Sequence, residues 1–216
     1  MEINKIFAAG GVVMWPLLAF SVTAIALVAE RAAFWFRINQ RQRRVVRDVL
    51  SLYQHDTAAA LQKLKANADL PIARIFLAAM ELEEPTPEEF RLALESESQA
   101  EIPVLKRFNT VFDTIISLSP LLGLLGTVLG LINSFASLRL GDVGGTQTTN
   151  VTSGISEALV STAAGLVVAI FTLLFANAFR GFYLRQIALI QEYGGQLELL
   201  YRRRYEKGIS QYAPTR

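Results

Sequence analysis

The sequence contains no cysteine and one histidine, His55, among its 216 residues. Without cysteine there is no disulfide, no thiolate metal site and no cysteine nucleophile. A single histidine, far along the chain from the buried hydroxyl residues, predicts no Ser-His-acid arrangement. The clustered glycines lie in an apolar run and lack the lysine of a phosphate-binding loop. We therefore expect a protein that is not an enzyme and that binds no metal or cofactor.

Charged residues are scarce in three long apolar runs. Phe7–Ala29 and Thr114–Leu138 have none, and Val151–Phe179 has only Glu157. As helices rising about 1.5 Å per residue, the runs match or exceed the roughly 30 Å hydrocarbon core of a bilayer. The hydrophobic content of 52% and the mean hydropathy of +0.34 are also high for a soluble domain. The sequence predicts an all-α integral membrane protein with three transmembrane helices and long helices extending into a helical cytoplasmic domain.

Basic residues are distributed unevenly around these runs. Residues 37–107 hold eleven Lys or Arg and residues 180–216 hold seven, against only Lys5 and Arg139 on the opposite side. The positive-inside rule then places both basic segments in the cytoplasm and the amino terminus outside. The first run is too long for a signal-peptide core and precedes no small-residue cleavage site, so we interpret it as an uncleaved anchor. No basic patch with interleaved aromatic residues indicates nucleic-acid binding.

These signals divide the chain into six predicted segments. They are an outside amino terminus and first transmembrane helix (1–36), a cytoplasmic helical region (37–108), a second transmembrane helix (109–138), a periplasmic loop (139–150), a third transmembrane helix (151–182), and a cytoplasmic helical extension and tail (183–216). We expect the extension of the third helix to pack on the cytoplasmic region. The tail after Gly208 is predicted to be irregular.

Local signals subdivide the cytoplasmic region. Turns are predicted at residues 67–71 and 84–87. Thr86 and Glu89, on either side of Pro87, have the spacing of a capping box with proline at the first helical position. Pro103 is predicted to kink or restart the helix that leads to the second span.

Polar residues mark one face of the second transmembrane helix, namely Asp113, Ser117, Thr127 and Ser134. An antiparallel pair of helices would bring Thr127 and Thr162 to a similar depth. A threonine in a span commonly bonds its own backbone, which is the alternative to a pore role. Asp113 is an inner-mouth candidate or simply marks the helix end.

Glu157 lies nearer the loop, about 140° around its helix from Thr162. A carboxylate in a span costs on the order of 2.5 to 3.5 kcal/mol, so it usually faces a partner or water. Both proton handling and a structural contact are open for this residue. Small residues in the two helices predict close helix packing, namely Gly123, Gly126, Gly130, Gly154 and Gly165.

Two runs carry a family resemblance: PLLGLLGTVLGLINSFASL at 120–138 and GISEALVSTAAGLVVAI at 154–170. Together they resemble the paired motifs of the ExbB/TolQ family, the larger subunits of bacterial proton-driven motors. The resemblance implies that Thr127, Thr162 and Glu157 occupy the polar pore positions of that family. One departure is Phe171, where many relatives carry proline, so no helix break is expected there.

The resemblance also implies partners and a location. It suggests a pentamer in the bacterial inner membrane, enclosing a dimer of an ExbD/TolR-like protein whose single span supplies the proton-accepting Asp. A TonB- or TolA-like protein would carry the resulting movement to the outer membrane. The expected function is an ExbB-like proton-channel subunit of a TonB-type energy-transducing complex. The alternatives are a TolQ-like subunit for envelope maintenance or division, a flagellar-type stator subunit related to MotA, and a passive membrane scaffold.

Overall fold

The computed structural model describes residues 10–136 and 146–212, except for the side chains of residues 146–150 and 208–212. These residues form six helices, namely α1 (Met14–Tyr53), α2 (Thr57–Lys65), α3 (Pro71–Met80), α4 (Pro87–Leu105), α5 (Asn109–Ala136) and α6 (Thr146–Tyr212). The described ranges contain no strand, which confirms the all-α prediction. Within Met14–Tyr53, Pro87–Ala136 and Val151–Lys207 there are helices long and apolar enough to cross a membrane.

The chain divides into two compact units. The first unit comprises Met1–Arg31 and Phe108–Phe179, and the second comprises Ala32–Arg107 and Arg180–Arg216. Because α1 and α6 are long, each contributes residues to both units.

The second unit is a helical bundle with its own apolar core. Helix α3 lies within it and buries Ile72, Ile75 and Phe76 completely. The carboxy-terminal half of α6 packs on this bundle, where the ring of Tyr201 stacks on Phe90 with centroids 4.1 Å apart. A buried hydrogen bond of 2.6 Å runs from Gln186 Nε2 to Gln42 Oε1. The expected packing of the extended third helix on residues 37–108 is thereby confirmed.

The capping box at the start of α4 is present as predicted. The Glu89 N–H donates to Thr86 Oγ1 at 3.3 Å, and the Thr86 N–H donates to Glu89 Oε2 at 2.7 Å. The hydrogen bond from the Thr86 backbone holds the pKa of Glu89 below its ordinary value, because it favours the ionised carboxylate. The two predicted turns are also confirmed, since helices end at Lys65 and Met80 and begin again at Pro71 and Pro87.

Three helices have ends that the sequence does not indicate. Helix α4 continues through Pro103 to Leu105, and the break follows at residues 106–108, where Phe108 adopts a left-handed φ of 69°. Helix α1 begins at Met14, after a turn at Gly11 with φ of 68°.

Helix α6 is longer than the predicted third transmembrane segment, which it contains. It begins at Thr146, before the predicted residue 151, passes Phe171 without a break and extends beyond Gly208 to Tyr212. The irregular tail was therefore predicted too early. Residues 1–9, residues 137–145 of the predicted loop region and residues 213–216 lie outside the described residues.

Candidate functional site

Helices α5 and α6 meet through their backbones. A Cβ atom built on Gly130 would lie 2.6 Å from the Gly154 carbonyl oxygen and 2.9 Å from the Ala158 nitrogen. A Cβ atom on Gly123 would lie 3.0 Å from the Thr162 Cα atom. Side chains at these glycines would collide with backbone, which cannot move aside as a flexible side chain can. The same contact contains Gly126, which faces Ser161, and Gly165, which faces Gly123.

The contacts also define the antiparallel register of the two helices. Ser134 Oγ lies 3.2 Å from the Val151 carbonyl oxygen at one end, and Gly123 faces Thr162 further along. Residue numbers therefore fall on α5 as they rise on α6. Thr162 is level with Gly123, and Thr127 lies about one helical turn, roughly 6 Å, further along α5.

Both candidate threonines donate their hydroxyl hydrogen to a backbone carbonyl. Thr127 Oγ1 donates to the Leu124 oxygen on its own helix at 2.6 Å. Thr162 Oγ1 donates across the helix pair to the Gly123 oxygen at 3.0 Å. The hydroxyl oxygens keep lone pairs that can accept a further hydrogen bond. Both side chains are partly exposed within the single chain, so these acceptors are accessible.

The two threonines lie on the same side of the α5–α6 pair. At 100° per residue, Thr127 is about 50° around α5 from the mean direction of Gly123 and Gly130. Thr162 is about 60° around α6, in the same rotational sense, from the mean direction of the small residues Gly154, Ala158 and Gly165. Because α5 and α6 are antiparallel, turning in the same sense around each helix leads to the same side of the pair.

The start of α1 lies on the other side of the pair. Val13 is 4% exposed, and its Cβ atom lies 3.7 Å from a Cβ atom built on Gly126, which is about 50° around α5 in the opposite sense from Thr127. Glu157, about 80° around α6 in the sense opposite to Thr162, faces Gly11. Within one chain, Glu157 and the two threonines are thus on opposite sides of the α5–α6 pair.

The remaining polar candidates take different positions relative to the contact between α5 and α6. Asp113 and Ser117 are exposed and lie further around the side of α5 that carries Thr127, with Ser117 Oγ donating to the Asp113 carbonyl oxygen at 2.8 Å. Ser134 is 3% exposed and its hydroxyl is within 3.0 Å of the Gly130 oxygen, so it lies inside the helix contact. Among the described residues, no group of three or more His, Asp or Glu side chains could hold a metal ion.

Two features of the site were missed from the sequence. Ser161 is fully buried against Gly126 and donates to the Ala158 oxygen at 2.9 Å. Gly11 forms the turn that meets Glu157. The signal for the second was available, because adjacent glycines such as Gly10 and Gly11 commonly mark a turn.

Comparison of the sequence with known proteins identifies a family and several relatives. Residues 67–192 match the MotA/TolQ/ExbB proton channel family. ExbB-like protein 3 of Synechocystis sp., whose name records only a likeness to ExbB, is 62% identical over 209 residues, which cover 96% of this chain and 100% of the relative. ExbB-like protein 1 of the same organism is 43% identical over 197 residues, 91% of this chain and 78% of the relative.

A third relative bears the ExbB name itself. Biopolymer transport protein ExbB of Salmonella typhimurium is 35% identical over 182 residues, covering 77% of this chain and 71% of the relative. The family match spans 126 of the 216 residues and includes α5 and the membrane-spanning part of α6. The chain therefore belongs to the MotA/TolQ/ExbB proton channel family of bacterial inner-membrane proteins.

Proposed function

We propose that this chain is the ring-forming subunit of a proton-driven motor, in which several copies surround a pathway lined by Thr127 and Thr162. One observation carries the proposal: both hydroxyls lie on the side of the α5–α6 pair that is opposite α1. If that side faces the centre of a ring, each copy contributes two hydroxyl oxygens to a lumen, and α1 packs outside it.

The chemistry of the lumen requires a second protein. Hydroxyl groups donate and accept hydrogen bonds to water, but they do not titrate near neutral pH. The group that takes up and releases the proton must then come from a partner. We propose an ExbD/TolR-like protein with an aspartate in its single span, held as a dimer inside a pentamer of this chain. Asp113 and Ser117 extend the proposed lining toward the cytoplasmic end.

The proposed output is work at the outer membrane through a TonB-like protein. Relatives named biopolymer transport protein ExbB favour this output over a TolA-like one. The proposed topology has the amino terminus in the periplasm and the carboxy terminus in the cytoplasm, since the cytoplasmic segments would carry most of the Lys and Arg residues.

The test replaces both hydroxyls in the variant Thr127→Ala/Thr162→Ala. We expect proton flux through liposomes containing the chain and its single-span partner to fall at least about tenfold, because the lumen loses its hydrogen-bonding oxygens. Flux is measured with a pH-sensitive dye inside the liposomes under an imposed proton gradient. Thr23→Ala is the matched control, because Thr23 is an exposed α1 threonine that donates to its own backbone at Ala19.

Unchanged flux in a complex of normal size would contradict the pore role and favour a passive scaffold. Deleting the gene separates the outputs. Loss of energised uptake across the outer membrane supports the TonB-type role, envelope leakage or division defects indicate a TolQ-like role, and loss of swimming indicates a stator.

A further inference from the structure

The side chain of Glu157 packs directly on the backbone of Gly11. A Cβ atom built on Gly11 would overlap Glu157 Oε1 and would lie 2.7 Å from Cδ and 3.1 Å from Cγ. Gly11 also has a φ of 68°, in the left-handed region that favours glycine. The backbone conformation therefore favours glycine at this position, and a side chain there would displace the Glu157 carboxyl group from its present place.

The Gly11 contact belongs to a larger packing surface. A Cβ atom built on neighbouring Gly10 would lie 3.4 Å from Val160 Cγ1, one turn from Glu157 on α6. Val13, at the end of the same turn, is buried beside Gly126 of α5. The residues just before α1 thus touch both helices of the candidate site, and Glu157 is the polar member of that contact.

The helix contact itself separates Glu157 from the threonines. To reach the side occupied by Thr162, the Glu157 carboxyl group would have to cross the line where α5 and α6 touch. On that line, beside Glu157, a Cβ atom built on Gly130 would lie 2.9 Å from the Ala158 nitrogen, which leaves no space for a side chain to pass. Within one copy, the carboxyl group therefore cannot join the hydroxyls.

We propose that Glu157 is a positioning residue, whose side chain holds the first turn of α1 against α6, and that it does not carry protons along the threonine-lined pathway. The claim that Glu157 carries no protons rests on the proposed function, whereas the contact between Glu157 and Gly11 does not. Glu157 and Gly11 then form a steric pair, in which the Glu157 carboxyl group occupies the space that a Cβ atom at residue 11 would need.

A double-mutant cycle tests the pair. Gly11→Ala should lower the Tm of the detergent-purified protein on the order of 5 °C when Glu157 is present. In the Glu157→Ala background the same change should lower the Tm by less, because the truncated side chain leaves room and only the backbone strain of alanine at positive φ remains. That strain is common to both arms and cancels in the difference between them, which measures the steric pair. Gly181→Ala is the control, since nothing lies within 4 Å of a Cβ atom at Gly181.

A second measurement separates positioning from proton transfer. Glu157→Gln keeps the size of the side chain and removes its titration. We expect this variant to retain the proton flux of the unsubstituted complex within about twofold, with the same pH profile, because glutamine fills the same space. A loss of flux or a shifted profile in an assembled complex would overturn the proposal, and so would additive Tm changes in the cycle. Since the cycle needs no flux, its outcome is independent of the threonine test.

Discussion

Arg74 and Glu101 form a two-pronged, half-buried ion pair between α3 and α4. Arg74 Nε lies 2.5 Å from Glu101 Oε1, and the second nitrogen donates to Oε2 at 2.6 Å. The Glu101 side chain is 6% exposed, and Arg74 also donates to the Ala68 carbonyl oxygen at 2.8 Å. The hydrogen bond to Glu101 raises the pKa of Arg74 above its ordinary value. A carboxylate this deeply buried depends on its partner.

Replacing Arg74 should therefore destabilise the protein. We expect Arg74→Met to reduce the free energy of unfolding by about 3 kcal/mol, because Glu101 stays buried without its charge partner. Denaturant or thermal unfolding of the protein in detergent measures the loss. Arg91→Met serves as the control, because Arg91 pairs with Glu88 and Glu95, which are exposed, and its removal should leave the Tm unchanged. Equal losses of stability in Arg74→Met and Arg91→Met would contradict the claim that buried Glu101 depends on Arg74.

At the scale of helices, hydropathy and capping signals predicted where elements exist better than where they end. Thr86 and Glu89 specify the start of α4 locally, so that boundary was readable. Pro103 removes one backbone donor near the end of its helix, and α4 continues for two more residues to Leu105, which is 3% exposed. Similarly, an apolar run shows where a helix lies in lipid, whereas α6 continues far beyond it.

The site was predictable to the extent that it depends on one helix pair. Helical periodicity and an antiparallel arrangement bring Thr127 and Thr162 to within about one turn, as the structure does. The contact that the Glu157 side chain makes was not predictable in this way. Its contact residue Gly11 is far away in sequence, and no periodicity links a turn before α1 to one residue of α6.

The backbone contact between α5 and α6 makes a prediction about glycine substitution. Gly130→Ala should lower the free energy of unfolding by about 1–3 kcal/mol, since the new methyl group meets the backbone of Gly154 and Ala158. Gly181→Ala in α6 should instead leave stability unchanged or raise it by up to about 1 kcal/mol, because alanine is the better helix former. Thermal unfolding of both variants under one condition makes the comparison. Unchanged stability in Gly130→Ala would mean that α5 and α6 lie further apart than the structure shows.

At the scale of the whole molecule, the absence of cysteine gives a direct test of topology. Single-cysteine variants Gly141→Cys and Arg203→Cys mark the two proposed sides of the membrane. In intact spheroplasts, a membrane-impermeant maleimide should label residue 141 and should label residue 203 only after permeabilisation. The cysteine-free parent is the blank. Labelling of residue 203 in intact spheroplasts would mean that the orientation is reversed.

The touching backbones of α5 and α6 also limit how this gene can change in length. One residue inserted between Gly123 and Gly130 would turn everything beyond it by about 100° and advance it by about 1.5 Å. Gly130 would then leave Gly154, and a bulky neighbour would take its position against the opposing backbone. An insertion among residues 137–145 would leave every one of these pairings intact. Over evolutionary time, point substitutions away from the contact glycines can accumulate in the two helices, whereas insertions and deletions are better tolerated in the segment that joins them.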